Sequence, residues 1–180
     1  TDGGSRLRSR EQLQKALYPL AAPFVAQVDK EMLRFGGTVH RDNLEAWWSI
    51  VHEMLTDPGF RAEDFARIRQ QQVNAVRDSL RANNDEELGK ELLYEQVYGD
   101  AHPYGRLTSG HAGDLEAITL DDVKGFWKAA YTRAALTVGL AGDVPANLKA
   151  RFLSRLGELP AGPALQTPAG VKGRAPQALE

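Results

Sequence analysis

Only two short stretches of this chain alternate apolar and polar residues with a period of two. Six others repeat apolar residues at helical spacing. In the first alternating stretch, Phe24, Ala26 and Val28 interleave with Val25, Gln27 and Asp29. In the second, Met32, Arg34, Gly36 and Thr38 interleave with Leu33, Phe35, Gly37 and Val39. The break near Asp29-Lys30 predicts an antiparallel hairpin, and Gly36-Gly37 predicts a bulge. A third run, Leu136–Gly142 (LTVGLAG), is apolar without a break and predicts a buried strand.

The helical segments carry clearer signals. Ser9 and Gln12 form a capping box ahead of Leu13, Ala16, Leu17 and Leu20. Asp42 or Asn43 caps a helix whose apolar face is Leu44, Trp47, Trp48, Val51, Met54 and Leu55, and Asp57-Pro58-Gly59 stops it. A long helix over about 62–82 places Phe65, Ile68, Val73, Val76 and Leu80 inward. Asn83-Asn84-Asp85 then opens a helix with Leu88, Leu92, Leu93 and Val97. A Gly-rich loop covers 99–118. Thr119 and Asp122 make a second capping box before Val123, Phe126 and Trp127. A last helix from about Pro145 buries Leu148, Phe152 and Leu156. Two or three strands with five or six helices predict an α+β fold. Sheets usually hold about 4–6 strands, so either strands are missed or part of the sheet lies outside this chain.

Composition narrows the chemistry. The chain has 180 residues, a net charge of −2 from 22 Lys+Arg and 24 Asp+Glu, four histidines and no cysteine. Disulfide frameworks, thiol nucleophiles and Cys-ligated metals are excluded. Scattered basic residues give no footprint for nucleic acid. No apolar run reaches the roughly 18 residues of a membrane span. The opening TDGGSRLRSR has no apolar h-region and reads as the middle of a longer sequence. Residues 160–180 hold Pro160, Pro163, Pro168 and Pro176 with three glycines, the composition of a linker.

No motif supplies an active site. Phosphate-binding loops, the dinucleotide fingerprint and the nucleophile elbow are all missing. Neither H-E-x-x-H nor H-x-x-E-H occurs, and position 56 is Thr, so His52 lacks a helical partner and is expected to be solvated or capping. His40 sits beside Asp42, which is expected to act as an N-cap. His102 in HPYG (102–105) and His111 are expected to serve a structural turn. Glu86, Glu87, Glu91 and Glu95 form an acidic stripe. Glu86 and Glu87 suit the helix dipole, and Lys90 is set to pair with Glu86.

The order of segments is more informative. It runs through FVAQVDKEMLRFGGTVHRDNLE (24–45), MLTDPGF (54–60), RIRQQQVNAVRDSL (67–80), DEELGKELLYEQVYGDAHPYG (85–105) and LEAITLDDVKGFWKAAYTRAALTVGLAGDV (115–144). Over about 10–157 it resembles the insulinase/pitrilysin family of zinc metallopeptidases. The most specific part is HPYG followed by the 115–144 stretch.

The resemblance implies a sheet flanked by helices, a ferredoxin-like two-layer arrangement, here incomplete on its N-terminal side. Residues 1–159 would form the partial unit and 160–180 a linker to a further unit. The family's zinc is held by H-x-x-E-H on an early helix, which would lie upstream of Thr1, and by a distal Glu. The distal position falls near Val76–Ser79, where Asp78 is the only carboxylate and is one methylene short. No catalytic residue and no complete metal site is therefore expected in this chain. Zinc would belong to the parent protein if the upstream motif exists. The strand Phe24, Val25, Ala26, Gln27 and Val28 corresponds to the edge on which the family adds a substrate peptide as an extra strand.

Three readings follow. The chain is a non-catalytic or incomplete half that offers a peptide-binding edge and packs against other insulinase-like units, in the same chain or a partner chain. Alternatively it is a fragment of an active zinc endopeptidase, or a helical interaction module. Many relatives are extracytoplasmic in bacteria, so a periplasmic or extracytoplasmic place is implied by resemblance alone.

Overall fold

The computed structural model describes residues 2–80, 85–99, 101–163 and 170. In chain order they form α1 (Arg10–Leu17), β1 (Val25–Val28), β2 (Leu33–Gly36), α2 (Leu44–Thr56), α3 (Ala62–Asn74), α4 (Asp85–Tyr98), α5 (Ala112–Ala117), α6 (Leu120–Ala130) and α7 (Leu148–Leu156). The described residues are mostly helical and contain one two-stranded antiparallel sheet, β1 beside β2, an α+β arrangement. They divide into two compact units. One holds 2–26, 35–68 and 119–163; the other holds 27–34 and the described part of 69–118.

The core of the first unit is built on α2. Trp47, Trp48, Val51 and Met54 are buried as their spacing predicts, and Ile50 joins them. Leu13 of α1, Leu148, Phe152 and Leu156 of α7, and the flanking Ala22 and Leu159 complete the cluster. Trp48 stacks on Phe152 with ring centroids 3.8 Å apart and planes 12° from parallel. Each fully buried side chain of this kind contributes about 1.5–3 kcal/mol relative to leaving it in water.

Helix ends follow the local chemistry. Ser9 N–H donates to Gln12 Oε1 at 2.8 Å, while Gln12 N–H returns a bond to Ser9 Oγ at 3.3 Å. Thr119 and Asp122 make the same reciprocal box at the start of α6, at 2.9 and 3.2 Å. The polar opening segment is pinned to the turn after α2. Ser5 pairs with Pro58 in an antiparallel bridge, and the Arg6 Nε–H donates to both carboxylate oxygens of Asp57 at 2.9 Å. Beneath it the Glu53 carboxylate accepts from the Ser5 hydroxyl and the Arg8 guanidinium.

Several expectations are corrected. Residues 136–142 form no strand; Leu136, Val138 and Leu140 are exposed, and no strand lies beside them among the described residues. A strand is defined by its neighbour, and an apolar run cannot supply one. β2 stops at Gly36, short of the expected Val39, and Gly37 passes close to the core. A Cβ there would lie 2.2 Å from the Pro23 carbonyl oxygen and 2.8 Å from Trp47 Cζ2. The helix expected over 62–82 is α-helical only to Asn74 and continues as a π-helical turn, Ala75–Leu80.

Leu92, Leu93 and Val97 of α4 are exposed rather than buried. The expected loop over 99–118 contains the short helix α5. The last helix begins at Leu148, after Pro145 rather than at it. The expected break at Asn83-Asn84 lies outside the described residues. Residues 160–161 run beside 133–134, with Arg133 N–H donating to the Pro160 carbonyl at 2.8 Å and Ala134 N–H to that of Ala161 at 3.1 Å.

Candidate functional site

The hairpin carries the candidate site. Val25, Ala26, Gln27 and Val28 are all exposed, Val25 at 51% and Val28 at 63%. Because the sheet contains β1 and β2 alone, the other edge of β1 has no strand partner among the described residues. Asp29 N–H donates to the Met32 carbonyl at 2.9 Å and closes the turn.

Phe24 behaves differently from the four residues after it. Within the first unit its ring stacks on Phe35 at 5.6 Å with planes 4° apart, and it meets Trp47 edge-on at 6.2 Å. It anchors the start of the strand to the core. Phe35 in turn lies 6.1 Å from Tyr131.

Within the second unit an open groove of about 630 Å³ borders the hairpin, lined by Gln27, Val28, Asp29, Met32 and Arg34. It combines two apolar side chains with one charge of each sign. A main-chain edge without a strand partner among the described residues suits an extended peptide. Backbone pairing supplies the affinity.

The turn of the hairpin is held from three sides. The Lys30 ammonium pairs with the Glu91 carboxylate of α4 and donates to the Arg106 carbonyl oxygen at 2.7 Å. It also lies 5.4 Å from the centre of the Tyr94 ring. Beside it, the Tyr104 hydroxyl donates to Glu31 at 2.7 Å, and that bond pushes the phenol's pKa above its ordinary value. Tyr104 belongs to the HPYG turn. There His102 accepts the Tyr104 N–H through Nδ1 at 3.2 Å, and its ring stacks on Tyr98 at 5.3 Å. Gly105 is required because a Cβ there would sit 2.0 Å from the Gly99 carbonyl oxygen.

No local signal marks Lys30 or Glu31 as special. A lysine in a hairpin turn reads as solvated, and its partners lie 61 and 76 residues further along the chain.

The histidines are dispersed. His40, not Asp42, caps the turn before α2, accepting the Asp42 N–H through Nδ1 at 3.3 Å. His52 is buried rather than solvated, and its ring meets the C-terminal end of α7 as a cap would. Its Nε2 lies 3.1 Å from the Arg155 carbonyl oxygen at the end of α7 and 3.4 Å from the Glu158 carboxylate. Its neighbours across α7 could not be read from its own helix. His111 precedes α5.

Asp78 is exposed within the π-helical turn. Among the described residues no group of three or more His, Cys, Asp or Glu side chains is arranged to hold a metal ion. The donors described do not fit the zinc that the resemblance implies. On α4, Lys90 pairs with Glu86 at 2.7 Å as its spacing predicts, and Glu91 serves Lys30.

No family model and no curated protein matches the sequence. Solved structures do match the fold. One is a peptidase M16 inactive domain from Pseudomonas fluorescens, 25% identical with a TM-score of 0.81, in which 92% of this chain covers 40% of that chain. Another is a protease from Helicobacter pylori, 16% identical with a TM-score of 0.76, covering 96% of this chain and 42% of that one. The chain thus spans about two fifths of the length of these neighbours and shares the fold of that part of them, including that of the peptidase M16 inactive domain.

Proposed function

We propose that this chain is a non-catalytic insulinase-like domain that holds an extended peptide along β1 and acts beside further units of the same kind. The observation that carries the reading is the exposed edge Val25–Val28, which has no strand partner on its outer side among the described residues. The likeness to a peptidase M16 inactive domain supports it. The dispersed histidines support a role in holding rather than hydrolysing.

Magnitudes explain why a second unit belongs in the proposal. An edge of this length offers roughly four outward main-chain hydrogen bonds to an added strand. At about 1 kcal/mol net each, they give an affinity on the order of millimolar. Useful retention then needs a second surface that closes on the same peptide, which raises the effective concentration without new edge contacts. The proposed compartment is extracytoplasmic. A cysteine-free chain is indifferent to an oxidising environment.

The test is an NMR titration of the protein with an unstructured decapeptide of alternating valine and lysine at millimolar concentration. The expected result is shifts confined to residues 24–34. Methylating alternate peptide nitrogens should abolish them, as should Val25→Pro or Gln27→Pro. The methylated peptide leaves the protein untouched, so it separates lost pairing from a damaged hairpin. Unchanged shifts with the methylated peptide refute strand addition. Chelator-sensitive cleavage of the peptide by the purified chain refutes the non-catalytic reading.

A further inference from the structure

Lys30 is unusual for its place in the second unit. It stands in a two-stranded hairpin turn, where a lysine is ordinarily solvated, yet its side chain is only 9% exposed. Removing an ammonium from water costs several kcal/mol unless it is paired and hydrogen-bonded. Lys30 has both compensations: the Glu91 carboxylate and the Arg106 carbonyl oxygen at 2.7 Å, with the Tyr94 ring 5.4 Å away as a third attraction.

The next residue repeats the pattern from the other side, since Glu31 accepts from the Tyr104 hydroxyl at 2.7 Å. Two consecutive turn residues of opposite charge therefore grip two separate elements, α4 and the HPYG turn. Around them Asp29, Met32 and Leu33 are exposed, so apolar burial does not hold this turn.

We propose that Lys30, supported by Glu31, is a positioning residue that clamps the hairpin turn onto α4 and the HPYG turn and so sets the Gln27–Val28 end of the β1 edge. The part concerning peptide rests on the edge-strand reading above. A two-stranded hairpin is marginal in water by itself, and its edge is a defined template only if something fixes it. A paired charge suits this task because its geometry is specific. A replacement that merely fills the space would leave the turn free to slide.

Hydrogen exchange of the 27–34 amides and titration with the same decapeptide test this, using Lys30→Met, Lys30→Arg and Tyr104→Phe. Lys30→Met keeps the apolar stem and removes the charge. It should raise exchange across 27–34 about tenfold or more and weaken peptide binding, while fluorescence of the Trp48 core in the first unit reports an unchanged midpoint. Lys30→Arg, whose guanidinium can still pair with Glu91 and lie against Tyr94, should restore both readouts to within a few-fold. Tyr104→Phe should raise exchange by a smaller factor.

Exchange within twofold of wild type in Lys30→Met overturns the clamp. So does faster exchange with peptide affinity unaltered, because the turn would then not position the edge. A wild-type protein that binds no peptide removes the edge-strand reading, and the exchange result alone then decides whether the clamp exists.

Discussion

Replacing Phe152 by Ala probes the packing on which the first unit depends. Phe152 is 4% exposed and lies face to face with Trp48 at 3.8 Å. Truncating a buried Phe costs about 3–5 kcal/mol, part from lost transfer free energy and part from the cavity left behind. Loss of the aromatic pair accounts for roughly 0.5–1.5 kcal/mol of contact beyond area. Leu148 and Leu156 lie one turn either side on α7 and are buried too, so the gap has apolar walls with little freedom to collapse.

A loss of about 4 kcal/mol is a large share of the roughly 5–15 kcal/mol that stabilises a typical domain. With a urea slope of about 2 kcal/mol per molar, the midpoint should fall by about 2 M. Urea titration followed by tryptophan fluorescence and far-ultraviolet circular dichroism measures this. Phe126→Ala is the control, because Phe126 is 63% exposed despite its place in the apolar pattern of α6. It should cost less than about 0.5 kcal/mol. A Phe152→Ala loss under about 1 kcal/mol, or equal losses in the two variants, would refute the assigned core.

Three further outcomes are expected. Gly37→Ala should destabilise by about 1–3 kcal/mol in the same titration, since its Cβ meets the Pro23 carbonyl and the Trp47 ring, whereas Gly36→Ala, with open space around it, should be near neutral. Arg8→Ala should cost about 1–3 kcal/mol because it removes the counter-charge of the largely buried Glu53 carboxylate and leaves it the Ser5 hydroxyl, and adding Glu53→Gln should recover part of that loss in a double-mutant cycle. The Thr119 hydroxyl and N–H hold the Asp122 carboxyl below its ordinary value of 3.8. Its contribution is therefore present above pH 3.8 and is lost as pH falls through the lowered folded value. An NMR titration should show the Asp122 midpoint rising in Thr119→Ala, and an unchanged midpoint would contradict the capping box.

The hairpin shows how far the candidate site was legible. Alternation over 24–29 and 32–39 is a local property, and it located both strands and their turn, although the second strand ends at Gly36. The groove on the hairpin was not legible, because Arg34 and Met32 become lining residues only once the hairpin is formed. Phe24 carries the same alternation as Val28, yet packs on Phe35 and Trp47. Alternation distinguishes two faces of a strand but does not say what lies against either. The HPYG turn was recognisable from its Pro and Gly, while its contact with Glu31 was not.

Local chemistry alone determined the capping boxes at Ser9 and Thr119, the buried stripes of α2 and α7, and the hairpin itself. Each depends on residues within about two turns of one another, where spacing dictates geometry. Tertiary structure decided the rest. It buried His52 against the end of α7 and Lys30 against α4, and left Leu92 and Leu93 exposed. It also gave the apolar run at 136–142 no strand beside it among the described residues. In each of these cases the side chain or backbone needs a partner distant in the chain, and no period or composition specifies which partner arrives.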